Sequence, residues 1–482
     1  MKSLASLLLA LPLAVAVPTT PRSSPPTPNG IVSMPLRKVV GPQTNTASGA
    51  RRMALMKPAT ANKAALSSAA SGPPRQSLID RNEYYLADFA IGTPPQPVSL
   101  LVDTGAWVTW VNPFCDRALR QQECSELPVY NMSLSNPPPT PVHALDQIVY
   151  YGDVSIGASL EGYSDVFTWG NSTSVKQSFG VANDTVGIST GILALGPDGF
   201  DGFNSAVSNF SVVANLAAQN VIASRVFSLA FGRGLAVASW AAAQHVGHLV
   251  FGGVDRNLFK GPLVKSPILP RDANVDGWRY WLAVTEVRLN KPAGNSTGVK
   301  SMRSMSTTST VVPSGNASYM IDSGTTGVYV PRSAYDIILA ETNMTRNPLR
   351  YEGFPDVDCS MADQPGSLSF TFAPTKEAAA ANRTGITIDV PYKAFIHPER
   401  NLITNDTSMC FFALSSGGPA YDDGDAFPIL GVEFFKAAYA VFDWDNQEIS
   451  LAQGASCGNG ETDLVPVGKT PNAVPNVNGN CK

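Results

Sequence analysis

The chain has 482 residues, of which 44% are hydrophobic and 15% charged, and a formal net charge of −4. That is long enough for two or three domains around a large core, and it excludes a globally disordered chain. The charge is uneven, with eight Lys/Arg and no acidic residue from Val17 to Ile79, and 25 basic against 38 acidic residues from Asp80 onward, a net of −13. An acidic body without a basic stripe of interleaved aromatics excludes nucleic acid as a partner.

In chain order, Met1-Lys2 and the apolar run Leu4 to Val17, with small residues at Ala14 and Ala16, read as a secretory signal peptide over 1–16. The basic segment 17–79 follows. It can dock on the acidic body at neutral pH and be released when carboxylates protonate; the plainer reading is a Pro/Ser/Ala-rich tail that happens to be basic. Beyond it, short β-rich runs separated by Gly, Pro, Asn and Asp dominate: Tyr84–Ile91, Val98–Val102, Val226–Phe231, His248–Phe251, Tyr280–Leu289 and Ala440–Phe442. Short helices are predicted at Val212–Ala218 and Arg332–Ala340, so the fold class is mainly β. No later stretch is long and apolar enough to span a membrane, and the C-terminus lacks the apolar tail of a lipid-anchor signal.

Six cysteines in an oxidising compartment predict three disulfides. Proximity suggests Cys115 with Cys124, Cys359 with Cys410 and Cys457 with Cys481, out of fifteen possible connectivities. Nine sequons, at Asn131, Asn171, Asn183, Asn209, Asn295, Asn316, Asn343, Asn382 and Asn405, suit a glycosylated, secreted surface. No Cys-x-x-Cys or His-x-x-x-His spacing calls for a metal, and no cofactor is expected.

The chemistry lies in a duplication. Leu101-Val102-Asp103-Thr104-Gly105 and Met320-Ile321-Asp322-Ser323-Gly324 are equivalent acidic turns, each preceded by apolar residues. Two carboxyls brought face to face cannot both ionise easily, so one holds a proton while the other is an anion, which is the pair needed to drive water at an amide. Each turn is followed, at a long interval, by an apolar run ending in glycine: Ile192–Gly196 and Phe427–Gly431. A glycine there lets a second strand pass close to the acidic loop. The halves therefore read as repeats, with a boundary near Asp255 to Pro270 and a polar insertion from Lys291 to Gly315.

These residues resemble the pepsin-like aspartic proteases of the secreted fungal type. Tyr85–Gln96 is similar to the strand and turn that open the mature enzyme, Asp322-Ser323-Gly324-Thr325-Thr326 to the second catalytic turn, Phe251–Asp255 to the interlobe passage, and Ala440–Asp443 to the C-terminal strand. The resemblance implies a bilobal fold of two pseudo-symmetric β-barrel-like lobes with the site between them: an N-terminal lobe over 80–260 with its flap, a C-terminal lobe over 261–460 and a tail over 461–482. It implies Asp103 and Asp322 as catalytic residues, supported by Thr104, Gly105, Ser323 and Gly324. Tyr150-Tyr151-Gly152-Asp153 resembles the flap that closes over substrate, with Tyr151 braced by a hydrogen bond from the Trp110 indole, and Thr325 and Thr326 would bind substrate backbone. In the zymogen, Lys63 is the candidate to sit on the active-site carboxylates, with Lys57 second, and Arg51-Arg52 is a candidate processing site.

The resemblance further implies a monomer that cleaves polypeptides at acidic pH beside bulky hydrophobic residues, with Leu101, Tyr151 and Phe179 lining the central pockets; for Phe179 a plain core role is the equal alternative. Its own propeptide would be an intramolecular inhibitor. The enzyme would be exported, or held in an acidic vacuole. One departure stands out: the family usually places serine after the first Asp-Thr-Gly, and here it is Ala106. Losing a hydrogen bond to the ionised form raises a carboxylate's pKa, which predicts a less acidic optimum. The rival reading is a catalytically silent pepsin-like binding or inhibitor protein. Serine or cysteine hydrolysis is disfavoured because none of the four histidines lies near a Gly-x-Ser-x-Gly elbow, and glycosidase chemistry leaves the duplicated turns unexplained.

Overall fold

A computed structural model describes residues 30–40, 83–118, 121–151, 153–169, 173–198, 202–203, 210–232, 245–270, 278–292, 307–312, 318–347, 353–380, 384–398, 409–416, 428–457, 461–469, 474 and 477–482. Strands dominate, and the largest sheet has 14 of them, drawn from both halves of the chain. The second half adds an eight-stranded sheet and a four-stranded one.

The duplication in the sequence is a duplication of topology. In the first half Leu101, Val102 and Asp103 pair in parallel with Ile192, Leu193 and Ala194, and Trp110 returns antiparallel to Ile192. In the second, Met320 and Ile321 pair in parallel with Ile429 and Leu430, and Val328 and Tyr329 return antiparallel to the same strand. Each acidic loop is thus threaded past a strand that is followed by a glycine, Gly196 or Gly431. A Cβ on Gly196 would stand 2.5 Å from Ala106 O, and one on Gly431 would collide with the carbonyls of Thr325 and Gly327. Only glycine permits that approach.

Strands lie on the β-rich runs of the sequence, with most bounds a few residues wider: Glu83–Ile91, Gln96–Asp103, His245–Phe251, Trp281–Pro292 and Ala438–Asp443. The helix Val212–Ala218 is capped by Ser211, whose side chain accepts from Ala214 N–H, and a second helix covers Arg332–Thr342. Aromatic rings fill the first lobe, and Phe179, predicted for a substrate pocket, is among them. It is fully buried, with ring centroids 5.2 Å from Phe167 and 5.6 Å from Tyr130, so its role is core packing.

Two further expectations are revised. The polar insertion carries a strand of its own, Thr307–Val312, which pairs antiparallel with Val287–Pro292. The basic leader, whose plainer reading is a Pro/Ser/Ala-rich tail, contributes the strand Val32–Val40 to the largest sheet, between His245–Phe251 and Glu83–Ile91. Met34 and Leu36 face the core, and Arg37 pairs with Asp88 at 2.5 Å. The C-terminal tail is also tied down: Leu464–Pro466 pairs with Gly253–Asp255, and Cys481 is bonded to Cys457. The other disulfides join Cys115 to Cys124 and Cys359 to Cys410.

Because Leu36 is fully buried, Leu36→Ala in the full-length chain should cost about 2–5 kcal/mol. Chemical denaturation measures it; an unchanged midpoint and slope would show that the leader strand is not part of the cooperative fold.

Candidate active site

Asp103 ends its strand and Asp322 follows immediately after Ser318–Ile321, so both carboxyls emerge where a strand turns into a loop. The residues after them lock the two loops together. Thr104 Oγ1 donates to Ile321 O and accepts from Ser323 N–H, each at 2.9 Å. Ser323 Oγ donates to Val102 O at 2.9 Å and accepts from Thr104 N–H at 3.0 Å. All four bonds are buried, where an unmade one would leave a donor or acceptor out of water.

This brings the carboxyls face to face. A Cβ on Gly105 would stand 2.6 Å from Asp322 Oδ1, and one on Gly324 2.5 Å from Asp103 Oδ1. A side-chain hydrogen bond links the two acids. Asp103 Oδ1 accepts the N–H groups of Gly105 (2.7 Å) and Ala106 (3.1 Å). Asp322 Oδ1 accepts Gly324 N–H at 2.9 Å, and its Oδ2 accepts the Thr325 hydroxyl at 2.6 Å. Burial pushes Asp322 above the usual carboxylate range, against the opposing pull of Thr325, Gly324, Asp103 and the buried Arg279 guanidinium.

Over the first lobe lies a hairpin, Gln147–Tyr151 with Asp153–Trp169. Tyr151 is buried, and its phenol oxygen accepts the Trp110 indole N–H at 2.7 Å. Beneath the hairpin, Leu101, Ala106, Trp107, Tyr151 and Ile156 belong to one apolar cluster. Thr326 is buried beside Thr325. Gly152 lies outside the described residues, as do Lys57, Lys63, Arg51, Arg52, Asn171, Asn209, Asn295, Asn316, Asn382 and Asn405. Asn131 and Asn343 are exposed, whereas Asn183 Nδ2 is engaged by Glu161 at 2.7 Å.

Sequence reasoning missed Arg279 and Tyr280. The Tyr280 carbonyl accepts Ile321 N–H at 2.9 Å, while its hydroxyl donates to Leu195 O at 2.7 Å and accepts the Trp444 indole N–H. One buried phenol therefore ties the Asp322 strand to the strand beside Asp103. Among the described residues, no group of His, Cys, Asp and Glu could hold a metal ion.

Paired acids and a reciprocal hydroxyl lock, with a hairpin over the first lobe of a two-lobed β fold, define an aspartic protease. The family described as eukaryotic aspartyl protease matches residues 84–454, and the chain belongs to it. It is an aspartic endopeptidase of the pepsin family. The probable aspartic-type endopeptidase OPSB of Arthroderma benhamiae is 28% identical, over 84% of this chain and 75% of that protein. Aspartic proteinase yapsin-3 of Saccharomyces cerevisiae is 26% identical over 85% and 73%, and secreted aspartic protease 8 of Candida albicans 26% over 79% and 78%. The aspartic proteinase of Irpex lacteus superposes with a TM-score of 0.53 at 22% identity, covering 77% of this chain and 94% of that one, and shares the fold. No helix among the described residues is long and apolar enough to cross a membrane.

A raised Asp322 makes stability pH-dependent with a definite sign. Between the ordinary aspartate value, about 3.9, and its raised value the folded protein holds a proton that the unfolded chain has lost, so stability falls as pH rises through that window. Asp322→Asn should therefore be more stable than wild type near neutral pH, with the gap closing below about pH 4. Thermal melts at pH 3 and pH 7 read it; a gap that is the same at both would contradict the burial-raised carboxyl.

Proposed function

We propose that this endopeptidase is made as a zymogen and exported, and that it cleaves polypeptides at acidic pH by a water activated between Asp103 and Asp322. The observation that carries this reading is the face-to-face carboxyl pair, buried and hydrogen-bonded within the hydroxyl lock. A water between the acids adds to the scissile carbonyl carbon as the ionised carboxylate takes its proton. The protonated carboxyl gives its proton to the carbonyl oxygen. The resulting diol collapses as a proton passes to the amide nitrogen and the C–N bond breaks, leaving one proton on the pair. No acyl-enzyme forms.

The flap, with Tyr151 at its end, would close over an extended peptide whose backbone bonds Thr325, Thr326 and the Gly152-Asp153 turn. The apolar cluster beneath it favours bulky hydrophobic side chains beside the cut bond. Both aspartates come from one chain, so a monomer suffices. A signal peptide over 1–16, a leader over 17–79 inhibiting through Lys63, and exposed Asn131 and Asn343 as glycan acceptors complete the reading, with an acidic vacuole as the alternative destination. The Arg37–Asp88 pair supports docking of the leader, and three disulfides and relatives named as secreted support export.

Acid-incubated, secreted chain should digest a denatured protein across pH 3 to 7 in a pepstatin-sensitive manner, and Asp103→Asn or Asp322→Asn should lower the rate on the order of 10²–10⁴-fold or more. No cleavage by a folded, processed chain would favour the silent binding protein.

The asymmetry between Ala106 and Thr325 gives a second test. The acidic limb of the profile falls where the pair gains its second proton. A hydroxyl donor at 106 stabilises the ionised form, so Ala106→Ser should move that limb down by about one pH unit. A limb that stays in place would remove Ala106 as the cause of a less acidic optimum.

A further inference from the structure

Behind the loop that carries Asp322, three ionisable side chains lie together out of water. Glu433 is fully buried, with His397 and Lys436 nearly so. Glu433 Oε1 meets His397 Nε2 at 2.9 Å and lies 3.6 Å from Lys436 Nζ, and its Oε2 accepts the backbone N–H of Gly327. Lys436 also donates to Ala394 O at 3.2 Å. Such clusters are commonly replaced by apolar residues at no loss of stability, so this one calls for a reason other than stability.

Its position supplies that reason. Gly327 closes the loop that begins at Asp322, in a left-handed conformation (φ 91°). Two successive residues of the helical turn Val432–Phe435 hold this loop. Val432 N–H donates to Thr325 O at 2.9 Å, and the Glu433 carboxylate takes Gly327 N–H. Thr325 in turn gives its hydroxyl to Asp322. A second arm starts from the same histidine. The His397 ring stacks on Phe411 (5.0 Å, 11°), Phe411 stacks on Phe354 (5.7 Å, 6°), and Phe354 Cζ stands 2.7 Å from where a Cβ on Gly327 would be. Both arms converge on Gly327.

We propose that Glu433, anchored by His397 and Lys436, is a positioning residue for Asp322. Its carboxylate fixes the end of the loop, and with it the Thr325 hydroxyl that orients the acid. It touches neither substrate nor the reacting atoms. The inference rests on the two-aspartate reading.

The test is steady-state hydrolysis of a peptide with bulky apolar residues at the cut, by the processed enzyme, beside thermal melts. Glu433→Leu removes the acceptor and should lower kcat on the order of 10- to 100-fold, with KM within about twofold. Glu433→Gln can still accept from Gly327 and should keep kcat within about threefold. His397→Phe keeps the stack but removes the anchor and should fall between. Wild-type kcat in a folded Glu433→Leu with only a lowered melting temperature would make the cluster purely structural, and equal losses in the Gln and Leu variants would also overturn the proposal. If Glu433→Leu does not fold, His397→Phe decides: reduced kcat at unchanged KM supports positioning, and unchanged kcat refutes it. Wild type and Asp322→Asn run alongside, since a silent wild type would sink the two-aspartate reading itself.

Discussion

Four buried hydrogen bonds between Thr104, Ser323 and the opposing strands decide where everything else in the site can be. Each hydroxyl satisfies a carbonyl and an N–H of the other half, so the two loops cannot separate without leaving two hydroxyls, two carbonyls and two N–H groups unpaired in an apolar interior. The next residue in each loop faces the opposite carboxyl at a distance that admits no side chain, hence Gly105 and Gly324. Held there, Asp322 is cut off from water, and the desolvation that raises its pKa follows from the lock. A threonine and a serine serve equally well because the lock asks for a hydroxyl and a short stem, and asks nothing further of the side chain.

The lock also explains why the surrounding sheets are built as they are. A strand that ends in a tight acidic turn needs a neighbour on each side. The strands Ile192–Ala194 and Ile429–Leu430 supply one in each half, and the glycines that follow them, Gly196 and Gly431, let the acidic loop pass close by. Tyr280 then joins the two halves by bonding Ile321 through its backbone and Leu195 through its hydroxyl. The second aspartate's strand is thereby tied to the first half at two levels, through the loops above and through the phenol below.

Much of this was legible in the sequence because it is local: an Asp-Thr-Gly, an apolar run and a glycine can be read within five residues. The strand that carries Asp103 follows from a β-rich run bounded by turn residues. What escaped was set by partners far along the chain. Val32–Val40 carries the buried Met34 and Leu36 within a Pro- and Lys-containing segment, and it becomes a strand because two edges, one contributed some two hundred residues later, leave a place for it. Thr307–Val312 read as polar because Thr and Ser dominate it, yet β-branched residues suit an edge strand. Glu433 had a signal that went unread. An acid stands two residues after each of the paired glycines, Asp198 after Gly196 and Glu433 after Gly431, and both are buried.

Duplication makes an acid/base pair but does not decide which member holds the proton. Two carboxyls in identical surroundings share one proton with no preference for either, and a mechanism that needs one donor and one acceptor gains from unequal surroundings. The two loops are unequal at the residue that completes each turn. Asp103 accepts the N–H groups of Gly105 and Ala106, whereas Asp322 accepts the Gly324 N–H and, from the position equivalent to Ala106, the Thr325 hydroxyl. Behind the second loop, the Gly327 N–H is held by the carboxylate that also meets His397. The lock between Thr104 and Ser323 enforces symmetry at the centre, so difference can enter only at the next positions outward, and that is where these two halves diverge.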